Sequence, residues 1–331
     1  MISTQLSDNQ KILLREASRI YHEYLDTNFK GTLYKGGIHW KKSKGKDYLF
    51  RSYDRFGYGK SLGARSPETE RQLLEFRQTK TKIKDELSEL KRRLKSHAAI
   101  CKSSSIHRVP KVVAGILRYL DQHRFLGKRG MAIGTYALYA YEAASGVFVE
   151  DTLLDNQIPP KLTLYFQKPI DRNGFLKMLR KTDRSFEMSS SRGFRAVNRN
   201  GHIIELMRPG RSHRISSNII EPDTIYSLDT RSVPDLKWLL TGPIYSQVVI
   251  DTDGNPARMA VPDPRGFTVH KLWLSEQPNR ELERKKRDRT QGRAVARLIV
   301  QYLTGYRFTI TELRMLPEDV LEECKKWLSE V

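Results

Sequence analysis

The stretch from Arg129 to Glu142, Arg-Gly-Met-Ala-Ile-Gly-Thr-Tyr-Ala-Leu-Tyr-Ala-Tyr-Glu, limits the fold more than any other part of the chain. Met131, Ala132 and Ile133 are a short apolar run closed by Gly130 and Gly134, the pattern of a buried strand. The Ala/Leu/Tyr-rich run to Ala144 then favours helix until Ser145-Gly146 stops it, with Thr135 as the expected N-cap. A strand that turns at a glycine into a helix start leaves backbone N–H groups free and lets a phosphate approach them. The same pattern also makes an ordinary strand–helix connection, and a lone Gly-Thr does not separate the two.

The elements around this unit predict an α+β chain. Ile12, Leu13, Ala17, Ile20, Tyr21 and Tyr24 recur at helical spacing within residues 8–28. Lys30 to Tyr58 interleaves Lys and Gly with aromatics, a composition that suits base stacking and phosphate binding. It also suits a β-hairpin with a half-buried face, which Tyr48-Leu49-Phe50 favours. Ser66-Pro67-Glu68 starts a long helix to about Lys95. Its seam of Leu73, Phe76, Ile83, Leu87, Leu90 and Leu94 fits either a helical hairpin or a homodimer contact through residues 67–95. Cys101 to Ser105 reads as a loop and Val109 to Phe125 as a helix. Phe148 to Pro160 reads as a loop, Leu162 to Phe166 as a strand and Asn173 to Lys181 as a short helix. Asn198-Arg-Asn-Gly201 and Asp253-Gly254 are hairpin turns between apolar strands. Phe267 to Leu274, Ala294 to Tyr302 and Leu316 to Leu328 are C-terminal helices, and Leu236 to Leu240 is a further short apolar run. The expected regions are a basic, mostly helical 1–128, a mixed-sheet core at 129–265 and a helical 266–331.

Charge narrows the partners. Residues 1–130 hold 29 Lys+Arg against 13 Asp+Glu, or +16, while residues 131–331 hold 30 against 25, or +5. The excess in the first part points either to RNA or DNA or to a solvated basic surface. No run approaches the roughly 18 apolar residues that a bilayer span needs. The N-terminal residues show no basic segment followed by an apolar core, so no signal peptide is expected. Cys101 and Cys324 form no metal-ligand pattern and suit a reducing, cytoplasmic setting.

Five stretches together resemble a known family. They are Lys60-Ser-Leu-Gly-Ala-Arg-Ser-Pro-Glu-Thr-Glu70, Ile133-Gly-Thr-Tyr-Ala-Leu-Tyr-Ala-Tyr-Glu142, Lys181-Thr-Asp-Arg-Ser-Phe186, Pro262-Asp-Pro-Arg-Gly-Phe-Thr-Val-His-Lys-Leu-Trp-Leu-Ser275 and Lys286-Arg-Asp-Arg-Thr-Gln291. Their order and spacing resemble bacterial nucleotidyltransferase-fold proteins of the polymerase-beta-like superfamily. The resemblance covers about residues 30–310. It implies a nucleotidyltransferase-like mixed sheet flanked by helices, NTP as substrate, and Mg²⁺ held by an Asp-x-Asp pair and a third carboxylate.

Carried over residue by residue, the resemblance puts the triphosphate at Gly134 and Thr135. Glu205, in Gly201-His-Ile-Ile-Glu-Leu-Met-Arg-Pro209, takes the third carboxylate's place as the catalytic and metal-ligating acid, with Glu where the family has Asp. The Asp-x-Asp places fall on Lys161 and Thr163. An ammonium has no lone pair for a metal, and Thr is a poor substitute for a carboxylate. Asp151 and Asp155 reach the metal only in a different register. Arg265, His270 and Lys271 are expected on the nucleotide phosphates, with packing of His270 and Trp273 in the helix core as the alternative. Asp183 and Arg184 are expected to pair, more for structure than for chemistry. Two readings stay open. One is transfer of a nucleotidyl group to a protein, RNA or small-molecule hydroxyl. The other is an inactive relative that binds nucleic acid or protein.

Overall fold

The computed structural model describes residues 2–127, 129–154, 161–167, 170–189, 194–207, 239, 242–309, 311–313, 316–317, 320 and 326. Asp155, Arg208-Pro209, most of the apolar run 236–240 and most of the expected closing helix lie outside them. The chain forms two compact units, residues 16–100 and residues 1–15 with 101–331. The helix after Val109 therefore belongs with the sheet core, whereas the sequence reading put it in an N-terminal region ending at 128.

Strand β1 (Ile2–Gln5) belongs to the larger unit. The smaller unit holds most of α1 (Asp8–Leu33), then β2 (Gly37–Ser43), β3 (Lys46–Ser52) and β4 (Gly59–Ala64), and most of α2 (Pro67–Ser103). The three strands form an antiparallel sheet in chain order, so the expected hairpin gains a third strand. Leu49 is fully buried and clusters with Ile38 and with Leu73 of α2. Arg51 lies on that inner face and donates to the carbonyls of Leu33, Lys35, Gly37 and Ser52. Ser66 and Thr69 cap α2 reciprocally, each accepting from the other's backbone N–H.

The apolar seam of α2 turns inward. Leu73, Ile83 and Leu90 are buried, Gly31 of α1 sits against Ile83 and Leu87, and Arg93 pairs with Glu23 at 3.1 Å. This is the helical-hairpin arrangement, with the buried part of the seam occupied by the same chain rather than left for a second copy. The helix also runs through the expected loop at Cys101, whose buried thiol continues the apolar stripe.

In the larger unit, α3 (Lys111–Gln122) precedes β5 (Gly130–Ile133), α4 (Ala137–Ser145) and β6 (Val147–Val149). A 3-10 turn (Asp151–Leu154), β7 (Lys161–Phe166) and α5 (Arg172–Thr182) follow. Next come β8 (Glu187–Met188), β9 (Phe194–Val197), β10 (Ile203–Met207), β11 (Ile244–Ile250) and β12 (Pro256–Pro262). Helices α6 (Pro264–Glu276) and α7 (Leu282–Tyr302) complete the unit. The central sheet has the order β5-β7-β10-β9-β8, with β7 and β10 parallel and the other pairs antiparallel. This is the mixed α+β sheet flanked by helices that the sequence predicts. β11 and β12 form a hairpin around Gly254, and β1 pairs with β6, a pairing that no sequence signal announced.

Glu142 of α4 is buried beneath β6. Its Oε1 accepts from the Val149 N–H at 2.8 Å and lies 3.2 Å from Arg108. Burial pushes its carboxyl up to about 8, against the pull of Arg108 and the Val149 bond. A neutral acid still accepts both bonds through its carbonyl-type oxygen. The folded state therefore binds this proton more tightly than the unfolded state. The resulting stability is complete below about 4.5 and lost as pH rises through about 8. Urea denaturation should show stability falling over that window, and Glu142→Gln should flatten the fall. An unchanged slope in the variant would mean that Glu142 is ionised in the fold.

Candidate functional site

Parallel pairing of β7 with β10 assembles the polar residues of the central sheet. Glu205 is in register with Thr163, and Ile203 with Lys161. Side chains alternate along a strand, so Lys161, Thr163 and Glu205 share one face. Arg195 of β9 stands opposite Glu205 on that face, and Ile133 of β5 stands opposite Thr163. The other face carries Ala132, Leu162, Leu164, Ile204 and Leu206, all buried in the main core. The apolar alternation thus fixes which way Glu205 points.

Lys161 Nζ lies 2.7 Å from Glu205 Oε2, and Arg195 Nε lies 3.5 Å from Oε1. Glu205 is only 8% exposed, as is Thr163. The two cations neutralise a carboxylate that has lost most of its water, and the Lys161 contact is a short charge-assisted bond. Arg195 was not foreseen. Its signal is the hairpin register, which brings residues 195 and 205 across from each other around the Asn198–Gly201 turn.

The turn after β5 lies at the same end of the sheet as Lys161, because β5 runs antiparallel to β7 and ends at the Ile133–Thr163 pair. Gly134 has φ +79°, where an L side chain is strained even though no atom crowds the position. Thr135 is not the helix cap. Tyr136 takes that position with no capping bond from its side chain, and Thr135 Oγ1 accepts from Gln291 Nε2 of α7 at 3.2 Å. Gln291 Nε2 also donates to the Leu153 carbonyl at 2.7 Å, while its buried Oε1 has no hydrogen-bond partner. Gln291, the last residue of the 286–291 stretch, therefore ties the turn to α7.

Arg265, His270 and Lys271 go elsewhere. Asp263 caps α6 by accepting the Arg265 N–H, and the Arg265 guanidinium pairs with Asp263 and Glu312. Lys271 Nζ lies 2.7 Å from Asp288 Oδ1 in α7, and Arg280 donates to the other oxygen. Burial alone would favour the neutral Asp288 acid, yet Lys271 and Arg280 outweigh it and hold the carboxyl below its usual range. His270 is stacked on Trp273, and burial pulls its imidazole down to about 3. Lys271 ties α6 to α7, and Arg265 ties α6 to Arg307 and Glu312. Arg265 and Lys271 are held by carboxylates in place of the phosphate contact expected of them, and His270 is buried in its helix against Trp273, the packing alternative.

The remaining acids have separate places. Asp151 is 73% exposed and pairs with Arg108 at 2.8 Å. Asp183 accepts from Ser185 and Asn198 rather than from Arg184, and those bonds hold its carboxyl low. Among the described residues, no group of three His, Cys, Asp or Glu is placed to hold a metal ion. Lys161, Thr163 and Glu205 do not fit a divalent-cation centre, since the one carboxylate already carries an ammonium at bonding distance.

The profile of a nucleotidyltransferase family matches residues 111–309, well over half of the chain. The chain belongs to that family. Comparisons with curated proteins and with solved structures gave no match. The nucleotidyltransferase match begins at α3 and so takes in the sheet, the turn at Gly134-Thr135 and the α6–α7 pair. No helix of the described residues is long and apolar enough to cross a membrane.

Proposed function

We propose that this nucleotidyltransferase-family protein binds nucleoside triphosphate on the Lys161–Glu205 face without transferring the nucleotidyl group. The Lys161 Nζ–Glu205 Oε2 contact of 2.7 Å carries the reading. Lys161 and Arg195 together outnumber the one carboxylate between them, so the face keeps one net positive charge, which attracts phosphate oxygens and repels a divalent cation. The turn at Gly134-Thr135 lies at the same end of the sheet and, with no side chain on Gly134, leaves its backbone open to phosphate.

A second reading is transfer to a protein, RNA or small-molecule hydroxyl with Mg²⁺. Family membership favours it, as does the position of Glu205 on the strand beside β7. One experiment separates the two. ATP, GTP, CTP and UTP are titrated calorimetrically in EDTA, and each labelled NTP is incubated with Mg²⁺ or Mn²⁺, the protein and total RNA. The expected result is binding in EDTA that Lys161→Ala weakens about tenfold, the effect of roughly one charge-assisted bond, with no label transferred. Robust metal-dependent labelling that Glu205→Gln or Asp151→Asn abolishes would establish the second reading.

A further inference from the structure

We infer that the three-stranded sheet of the smaller unit is a binding surface for single-stranded nucleic acid, with the β3–β4 loop as its base-stacking platform. Residues 35–65 contain nine Lys+Arg and two Asp+Glu, or +7 in a short segment. Both acids are engaged: Asp47 lies 3.7 Å from Arg65, and Asp54 accepts backbone N–H bonds from Phe56 and Tyr58. Because Ile38, Leu49 and Arg51 face inward, the alternate residues His39, Lys41, Tyr48 and Phe50 face away from the core. Lys41 Nζ sits 5.1 Å from the Phe50 ring centre. Lysine and aromatic thus share the outer surface.

The loop between β3 and β4 adds the decisive feature. Phe56 is 81% exposed, Tyr58 72% and Tyr53 44%. Exposing three large aromatics on one short loop is unfavourable in water unless a partner covers them. The loop is already ordered by the Asp54 bonds and by the Tyr53 N–H to the Tyr58 carbonyl at 2.8 Å. The Tyr53 and Tyr58 rings lie 6.0 Å apart, and the Arg55 guanidinium covers Phe56. Ordered aromatic faces bordered by lysines are what unstacked bases on a phosphate backbone require. A duplex hides its base faces, so a single strand is the better match. This inference does not rest on the sheet-face reading: nucleotide titration in EDTA tests that reading, and oligonucleotide binding tests this one.

The test is fluorescence anisotropy with labelled oligo(dT) and oligo(U) of about 20 nucleotides and with a duplex, using the full chain at about 50 to 200 mM salt. Single strands should bind more tightly than duplex. Phe56→Ala and Tyr58→Ala should each weaken binding about tenfold while leaving the salt dependence unchanged. Lys41→Ala with Lys46→Ala, which alternation puts on the same outer face as Tyr48 and Phe50, should reduce the slope of log K against log salt by about 1.4, or about 0.7 for each lost phosphate contact. Unchanged thermal melting will show that the exposed substitutions keep the fold. Absence of binding at low salt, equal affinity for duplex, or full affinity in the aromatic variants would overturn the proposal. So would capture by phosphatidylserine vesicles, lost in the same variants, without oligonucleotide binding.

Discussion

Asp288→Ala is expected to destabilise the larger unit by about 3–5 kcal/mol, the usual cost of breaking a buried ion pair from one side. Asp288 is completely buried and holds both Lys271 and Arg280. Its removal leaves the Lys271 ammonium, itself 7% exposed, without its carboxylate inside the α6–α7 interface. Gly292 packs so closely on Leu272 that the helices have little room to readjust around the lost charge. Lys271→Met with Asp288→Leu should recover much of the loss, because it removes the buried ammonium together with its carboxylate, while Arg280, a quarter exposed, still reaches water. Urea denaturation of the three proteins measures this directly. If Asp288→Ala has near wild-type stability, the triad is not what fastens α6 to α7. Nucleotide binding in EDTA by the double variant would show in addition that Lys271 does not hold phosphate.

The second large effect is a gain. Lys161→Asp with Thr163→Asp replaces one cation and one neutral group by two carboxylates beside Glu205. At about 4 Å each unit charge is worth about 4 kcal/mol at an effective dielectric of 20. Mg²⁺ affinity should therefore rise by about a hundredfold or more, after allowance for the repulsion among three carboxylates. Calorimetric titration with MgCl₂ and MnCl₂ checks it. A double variant that binds Mg²⁺ no better than the parent would show that this face is not the family's metal position, and the register of Lys161 and Thr163 against the Asp-x-Asp pair would fall with it.

Local signals were readable in the sequence wherever a residue's structural role depends on its near neighbours. Gly130 to Gly146 is a strand, a turn and a helix because its glycines and apolar run say so within a few residues. The turns at Asn198–Gly201 and Asp253-Gly254 follow the same logic, and with them the strands they join. The shared face of Lys161, Thr163 and Glu205 also follows from alternation once β7 and β10 are taken as neighbours. Roles set by distant partners were not readable. Lys271 looks like a phosphate ligand in its own helix, and only the packing of α7 brings Asp288 to it. Arg265 is likewise claimed by Glu312, and Thr135 by Gln291 rather than by the helix it precedes. The α2 seam fits a partner copy or a neighbouring helix equally well, and only the placement of α1 shows that Ile83 and Leu87 pack within the chain.

The parallel pairing of β7 with β10 also has a kinetic consequence. Lys161 and Glu205 are far apart in the chain, and α5, β8 and β9 must be accommodated before their strands can lie side by side. The β9–β10 hairpin closes over a short loop and can form early, whereas the β7–β10 ladder carries the loop-closure entropy of the whole intervening segment. The charge pair at the centre of the sheet is therefore among the last contacts the core completes. Substitutions there should change the unfolding rate far more than the folding rate.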